Sequence, residues 1–137
     1  MSTNSNTGSL RQEYLVAGLN TPISHYVDAV RFGNLLFISG MAPLDTHGNL
    51  VGGDDVAAQA RKVLENIEAT LVQAGATFAD VLRVTVYLID VNDRHAINPV
   101  RMEFFGSHRP ASTLIGVRAL AIPGMKVEIE AIAGISH

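Results

Sequence analysis

The sequence predicts a two-layer α+β domain, a single mixed β-sheet with two helices on one of its faces. Three observations carry this reading. Lys126, Glu128 and Glu130 alternate with Val127, Ile129, Ala131 and Ala133, the period of a strand with one covered face. Ala60, Val63, Leu64, Ile67, Leu71 and Ala74 recur at the spacing of an amphipathic helix. The segments follow one another as strand, strand, helix, strand, helix, strand, strand, which one sheet under two helices accommodates.

Taken in order, residues 1–13 are polar and lack an apolar core, so they read as a disordered tail and not as a signal peptide, and residues 14–137 read as one domain. Tyr14-Leu15-Val16 forms a short extended segment, and Tyr26 to Arg31 forms the first full strand. Gly33-Asn34 is a hairpin turn pair. Leu35 to Gly40 is almost continuously apolar and is expected at the centre of the sheet, covered on both faces. Asp54 or Asp55 caps the first helix through its carboxylate, and Gly75 ends it with a left-handed residue. Val81 to Ile89, rich in β-branched residues, is an interior strand. The second helix is expected from Asn98 as N-cap, with Pro99 at its first position, to about Phe105. Residues 109–117 and 126–133 form two neighbouring strands joined through a turn at Gly124.

Composition narrows the function classes. The chain has 137 residues, 47% of them hydrophobic and only 17% charged, so part of its apolar surface is expected to meet another subunit, with ligand sites in the grooves between subunits. A net charge of −3 supplies no footprint for nucleic acid. The absence of cysteine removes disulfides and thiolate chemistry, and no apolar run is long enough to cross a membrane; a cytoplasmic location is expected. The five histidines have no metal-ligand spacing, and the glycine pairs form no phosphate loop, so neither a metal nor a cofactor is expected.

The remaining chemistry lies in carboxylates and anion binders. Glu128 and Glu130 share one strand face; they are either solvated surface residues or a pair of which one has a raised pKa and exchanges protons with a bound water. Tyr26, Asn98, Arg101 and Arg118 are the other groups suited to a small polar anion, against the plainer readings of a helix cap for Asn98 and a solvated helix face for Arg101.

Several stretches in one order resemble the Rid family, the YjgF-type reactive-intermediate deaminases: Ile23 to Val27, Leu36 to Gly40, Ala58 to Arg61, Val84 to Leu88, Pro110 to Thr113 and Val127 to Ala133. The resemblance implies a chorismate-mutase-like fold and a homotrimer with three sites in the clefts between subunits. It implies hydrolysis of enamine or imine acids to keto acids and ammonia without metal or cofactor. Carried onto this sequence, Glu128 positions the water, Tyr26 lines the pocket, and Ser39, Gly40 and Asn98 lie in the cleft. The family's carboxylate-binding arginine, which follows the Pro-Ala pair, is replaced here by Ser112, and a hydroxyl does not reproduce a bidentate clamp. Arg118 stands six residues on, ~20 Å along a strand, so Arg101, Arg109 or His25 is left to hold a carboxylate placed differently. The expected activity is a metal-free deaminase with Glu128 catalytic and Ser112, Thr113, Asn98, Arg101 and Tyr26 orienting a 2-aminomuconate-type or 2-aminoacrylate/2-iminopropanoate-type substrate. The alternative is a non-catalytic trimer that binds a small metabolite or acts as a regulatory or chaperone-like protein.

Overall fold

A computed structural model of the chain describes residues 10–136. Residues 1–9, most of the expected tail, lie outside the described residues, as does His137. Among the described residues six strands form one sheet: β1 (Arg11–Tyr14), β2 (Ala29–Phe32), β3 (Leu35–Met41), β4 (Val81–Leu88), β5 (Ala111–Gly116) and β6 (Val127–Gly134). Their spatial order is β1-β2-β3-β6-β4-β5, antiparallel throughout except for the parallel pair β4–β5. Helices α1 (Val56–Gln73) and α2 (Arg94–Phe105) share one core with the sheet, so the chain is the two-layer α+β domain that its periodicities imply.

The burial pattern explains the layering. Val127, Ile129, Ala131 and Ala133 of β6 and Val84, Val86 and Leu88 of β4 are buried beneath the helices, each contributing roughly 1–3 kcal/mol of transfer free energy. Ala60, Val63, Leu64, Ile67 and Leu71 of α1 are buried in the same core. Asp55 is the N-cap, its carboxylate accepting the backbone N–H groups of Ala57 at 3.0 Å and Ala58 at 3.2 Å. At the other end Gly75, at φ +78°, lets the Ala76 N–H turn back to the Leu71 carbonyl at 2.8 Å.

Four expectations are corrected. The two closing strands are not neighbours: β4 lies between β5 and β6, because β5 follows β4 through the α2 crossover that a parallel pair requires. The first strand starts at Arg11 rather than Tyr14, inside the segment read as tail, since β2 offers it a free edge with Arg11 opposite Phe32 and Tyr14 opposite Ala29. Helix α2 begins at Arg94, one turn before the expected Asn98 cap. Asp90 starts the turn that feeds it, accepting the Asn92 N–H at 2.9 Å, and Pro99 is held inside the helix by the burial of Ile97 and Val100 on either side. Finally, within one chain the helices cover only one face of β3, and Leu35 and Phe37 on the other are left to whatever a second subunit supplies.

That other face of the sheet carries no helix among the described residues. Val30, Phe32, Leu35, Phe37 and Ile132 form its apolar half, and Arg83, Thr85, Tyr87, Glu128 and Glu130 its polar half, as the registers of the five pairings place them.

Candidate functional site

The polar half of the open face is interrupted beside Glu128. Ile38 pairs with Ala131 and Met41 with Ile129, so β3 carries one more residue than β6 across this interval, at Ser39-Gly40. Such a bulge re-aims the strand. It brings Gly40 so close to Glu128 that an added Cβ would lie 2.9 Å from the carboxyl carbon. Glycine is therefore the residue that leaves room for this carboxylate.

Glu128 itself is half-buried and has no hydrogen-bond or ion-pair partner among the described residues. Burial, and secondarily the negative charge of Glu130, pushes its carboxyl above the ordinary range. Glu130 is held differently, its Oε1 accepting the Tyr87 hydroxyl at 3.1 Å. Partial desolvation, then the hydrogen bond to Glu130 and its charge, push the Tyr87 phenol upward. Of the two glutamates, Glu128 is thus the one free to handle a proton. It closes a pocket of about 70 Å³ lined also by Asn20, Tyr26, Ser39, Gly40, Met41, Ile122 and Met125. The Ser39 hydroxyl donates to the Val27 carbonyl at 2.6 Å, so toward a ligand it offers only its oxygen. Tyr26, 43% exposed, presents its ring at the pocket rim.

Three buried polar residues lie on the apolar stripe of α1, and two of them, Gln59 and Asn66, hold the segments around this pocket. The Gln59 side chain donates to the carbonyls of Gly53 at 2.7 Å and Gly124 at 2.9 Å and accepts the Lys126 N–H at 2.8 Å, which fixes the start of β6 two residues before Glu128. Asn66 donates to the carbonyls of Ala42 at 3.0 Å and Leu44 at 3.1 Å, fixing the loop that leaves Gly40. Thr70 satisfies its hydroxyl within the helix, on the Asn66 carbonyl. Gln59 and Asn66 were not singled out from the sequence. Their signal was present, since polar residues seven positions apart on a helix's apolar stripe need buried partners.

A second cleft, of about 440 Å³, lies at the far side of the sheet between α2 and the start of β5. Asn98, Arg101, His108, Arg109 and Ser112 supply its polar groups. Ser112 pairs with Val84 and so faces the helix layer, where the Arg101 guanidinium donates to its hydroxyl at 3.1 Å. Asn98 is not a helix cap; it sits mid-helix with its amide 3.6 Å from the Met102 sulfur.

The expected site residues thus fall into separate places within one chain. Tyr26, Ser39, Gly40 and Glu128 share the first pocket, and Asn98, Arg101 and Ser112 share the second cleft. Thr113 belongs to neither: it faces the open side and accepts the Arg83 guanidinium at 2.6 Å. His25 lines a shallow groove on the open face with Arg11 and Glu13, and Arg118 is exposed in the connection between β5 and β6. Among the described residues no group of three or more His, Cys, Asp or Glu side chains is arranged to hold a metal, and no helix is long and apolar enough to cross a membrane.

Comparison with known proteins agrees with this architecture. Residues 18–135 match the family model described as Endoribonuclease L-PSP. A RutC family protein of Pyrococcus horikoshii is 46% identical over 113 residues, covering 82% of this chain and 88% of its own length. The 3-aminoacrylate deaminase RutC of Acinetobacter baylyi is 38% identical over 119 residues, 87% of this chain and 94% of that protein. The 2-iminobutanoate/2-iminopropanoate deaminase of Salmonella typhimurium is 37% identical over 123 residues, 86% of this chain and 94% of that protein. Among solved structures, a conserved Rid family protein of Yersinia pestis superposes with a TM-score of 0.86 at 32% identity, covering 91% of this chain and 99% of its own. The chain is a member of the Rid family of YjgF-type proteins, one in which serine follows the Pro-Ala pair at position 112.

Proposed function

We propose that this protein is a hydrolytic deaminase of enamine or imine acids that works as a homotrimer, the Glu128 pocket of one subunit meeting the Arg101–Ser112 cleft of the next. The single observation that carries the chemistry is Glu128: a half-buried carboxylate without a hydrogen-bond partner, its pKa raised, held against a glycine that leaves space beside it. A base of this kind takes a proton from water as the oxygen attacks the carbon of a C=N bond. That proton passes to the nitrogen to give a carbinolamine, whose hydroxyl proton follows it to the nitrogen as the C–N bond breaks and the C=O bond forms, so that a keto acid and ammonia leave. An enamine reaches the same imine by accepting a proton at carbon. The names of the Acinetobacter and Salmonella relatives support this reaction class. The exposed Phe32, Leu35 and Phe37 on the uncovered sheet face support assembly. The net charge of −3 favours a small-molecule substrate over nucleic acid.

The test is ammonia release from 2-aminoacrylate generated in place and from 2-aminomuconate. Glu128→Gln should abolish release while leaving the trimer intact, and an unaffected rate would remove Glu128 from the mechanism. A non-catalytic trimer that binds a metabolite is the second reading, favoured by the hydroxyl of Ser112 where an arginine clamp is expected. Wild-type protein that binds keto acid but releases no ammonia from either substrate would select it.

A further inference from the structure

Among the described residues Arg101 is a cation without an anion. It is half-buried on α2, and burial alone pushes its guanidinium below the ordinary value. No carboxylate lies within ion-pair distance among the described residues; its one polar partner is the Ser112 hydroxyl at 3.1 Å. By contrast Arg61, at the helix surface, grips Glu103 through both terminal nitrogens, at 2.6 and 2.9 Å. A half-buried guanidinium that lacks such a partner keeps donors free for an anion that joins it. Here it opens into a cleft of about 440 Å³ where Asn98 and Arg109 add further donors.

We infer that Arg101, steadied by Ser112, is the carboxylate-binding residue of this protein, so that the clamp is carried by the helix and not by the strand. The hydroxyl accepts one guanidinium N–H and leaves the remaining donors of the planar fork to a carboxylate, the geometry in which arginine binds most strongly. Ser112 is then a positioning residue, and the ligand class is the 2-keto, 2-imino or enamine acid with a free carboxylate. This inference rests on the deaminase reading only for the identity of that acid.

The test is calorimetric binding of 2-oxobutanoate, a stable keto acid, to full-length wild-type protein and to Arg101→Met, Arg101→Lys and Ser112→Ala, with fold and assembly checked by circular dichroism and light scattering. Wild type should bind. Arg101→Met should weaken binding at least about tenfold, or about 1.4 kcal/mol. Arg101→Lys, which keeps the charge but loses the fork, should fall between, and the uncharged methyl ester should not bind. Unchanged affinity in Arg101→Met, equal affinity for the ester, or no binding by wild type would overturn the inference. Should Arg101→Met fail to fold, Arg101→Lys decides, since unchanged affinity there also overturns it. Ammonia release by Glu128→Gln, read separately, tests the deaminase reading, so either can fail while the other stands.

Discussion

Gly40→Ala isolates the carboxylate from the fold that carries it. Gly40 has no positive φ, so alanine meets no backbone penalty. Its Cβ, however, would stand 2.9 Å from Glu128 Cδ and 3.3 Å from Cγ, and nearer still to Oε2. Non-bonded carbon rests at more than about 3 Å from oxygen and at about 3.5–4.0 Å from carbon, so with Oε2 the closest atom the carboxyl must retreat by about 1 Å. It is the free end of a side chain without a hydrogen-bond partner, so the retreat is cheap and stability should change by less than about 1 kcal/mol. Catalysis is less tolerant, because a misplacement of about 1 Å is worth on the order of 100-fold in rate, or about 2.7 kcal/mol. Ammonia release and thermal unfolding should therefore separate: kcat/KM falls about 100-fold while Tm moves by only a few degrees. Activity within about threefold of wild type would refute the close approach as the reason for glycine. A comparable fall in stability would show that the packing, and not the carboxylate, is what Gly40 serves.

Other perturbations follow from the same geometry. With its pKa raised above 4.5, Glu128 retains in the folded chain a proton that the unfolded chain has released, so it costs stability as pH rises from 4.5 through the raised value, while base catalysis is gained over that window. The acid limb of kcat/KM should lie above 4.5, and Glu130→Gln should move it down but not fully, since burial is the larger cause; an unmoved limb would exclude coupling of the two carboxylates. Gln59→Leu leaves two carbonyls and one N–H unpaired at the base of the pocket and should cost about 3 kcal/mol in denaturant unfolding, roughly 10 °C in Tm; a loss under about 1 kcal/mol would mean that water replaces the side chain. Phe37→Glu, at a position 44% exposed on the open face, should give a folded monomer of 14.6 kDa without activity; a wild-type protein that is itself monomeric by light scattering would discard the trimer.

Much of the fold was legible because two periodicities dominate it. The alternation along 126–133 placed Val127, Ile129, Ala131 and Ala133 toward the helices, which is where they are buried. The apolar spacing from Ala60 to Ala74 likewise described the buried stripe of α1. What periodicity does not carry is pairing: nothing local distinguishes β6 beside β5 from β6 inserted between β3 and β4, because that choice is made by long-range contacts. The site divided in the same way. The residue types were legible from the resemblance, whereas the bulge at Ser39-Gly40 and the contact between Arg101 and Ser112 depend on register and crossover, which no spacing encodes. Pro99 misled because proline is commonest at a helix start; here burial of Ile97 before it outweighs one missing N–H.

The separation of the two half-sites supplies the sharpest test of assembly. Ser112 is on β5 and Glu128 on β6, with β4 between them, so their strands stand roughly 10 Å apart. Their side chains also leave opposite faces of the sheet, because Ser112 pairs with Val84 under the helices and Glu128 with Tyr87 on the open side. An imine acid of three or four carbons cannot touch both within one subunit. If the carboxylate is held by Arg101 of one subunit and the water by Glu128 of another, two variants assayed at a substrate concentration where neither alone turns over should rescue each other. In trimers formed at random from equal amounts of Glu128→Gln and Arg101→Met chains, a cleft is intact when its glutamate comes from an Arg101→Met subunit and its arginine from a Glu128→Gln subunit. That occurs in about one cleft in four. Co-refolded mixtures should accordingly recover about a quarter of the wild-type rate, whereas a site contained in one chain would recover none.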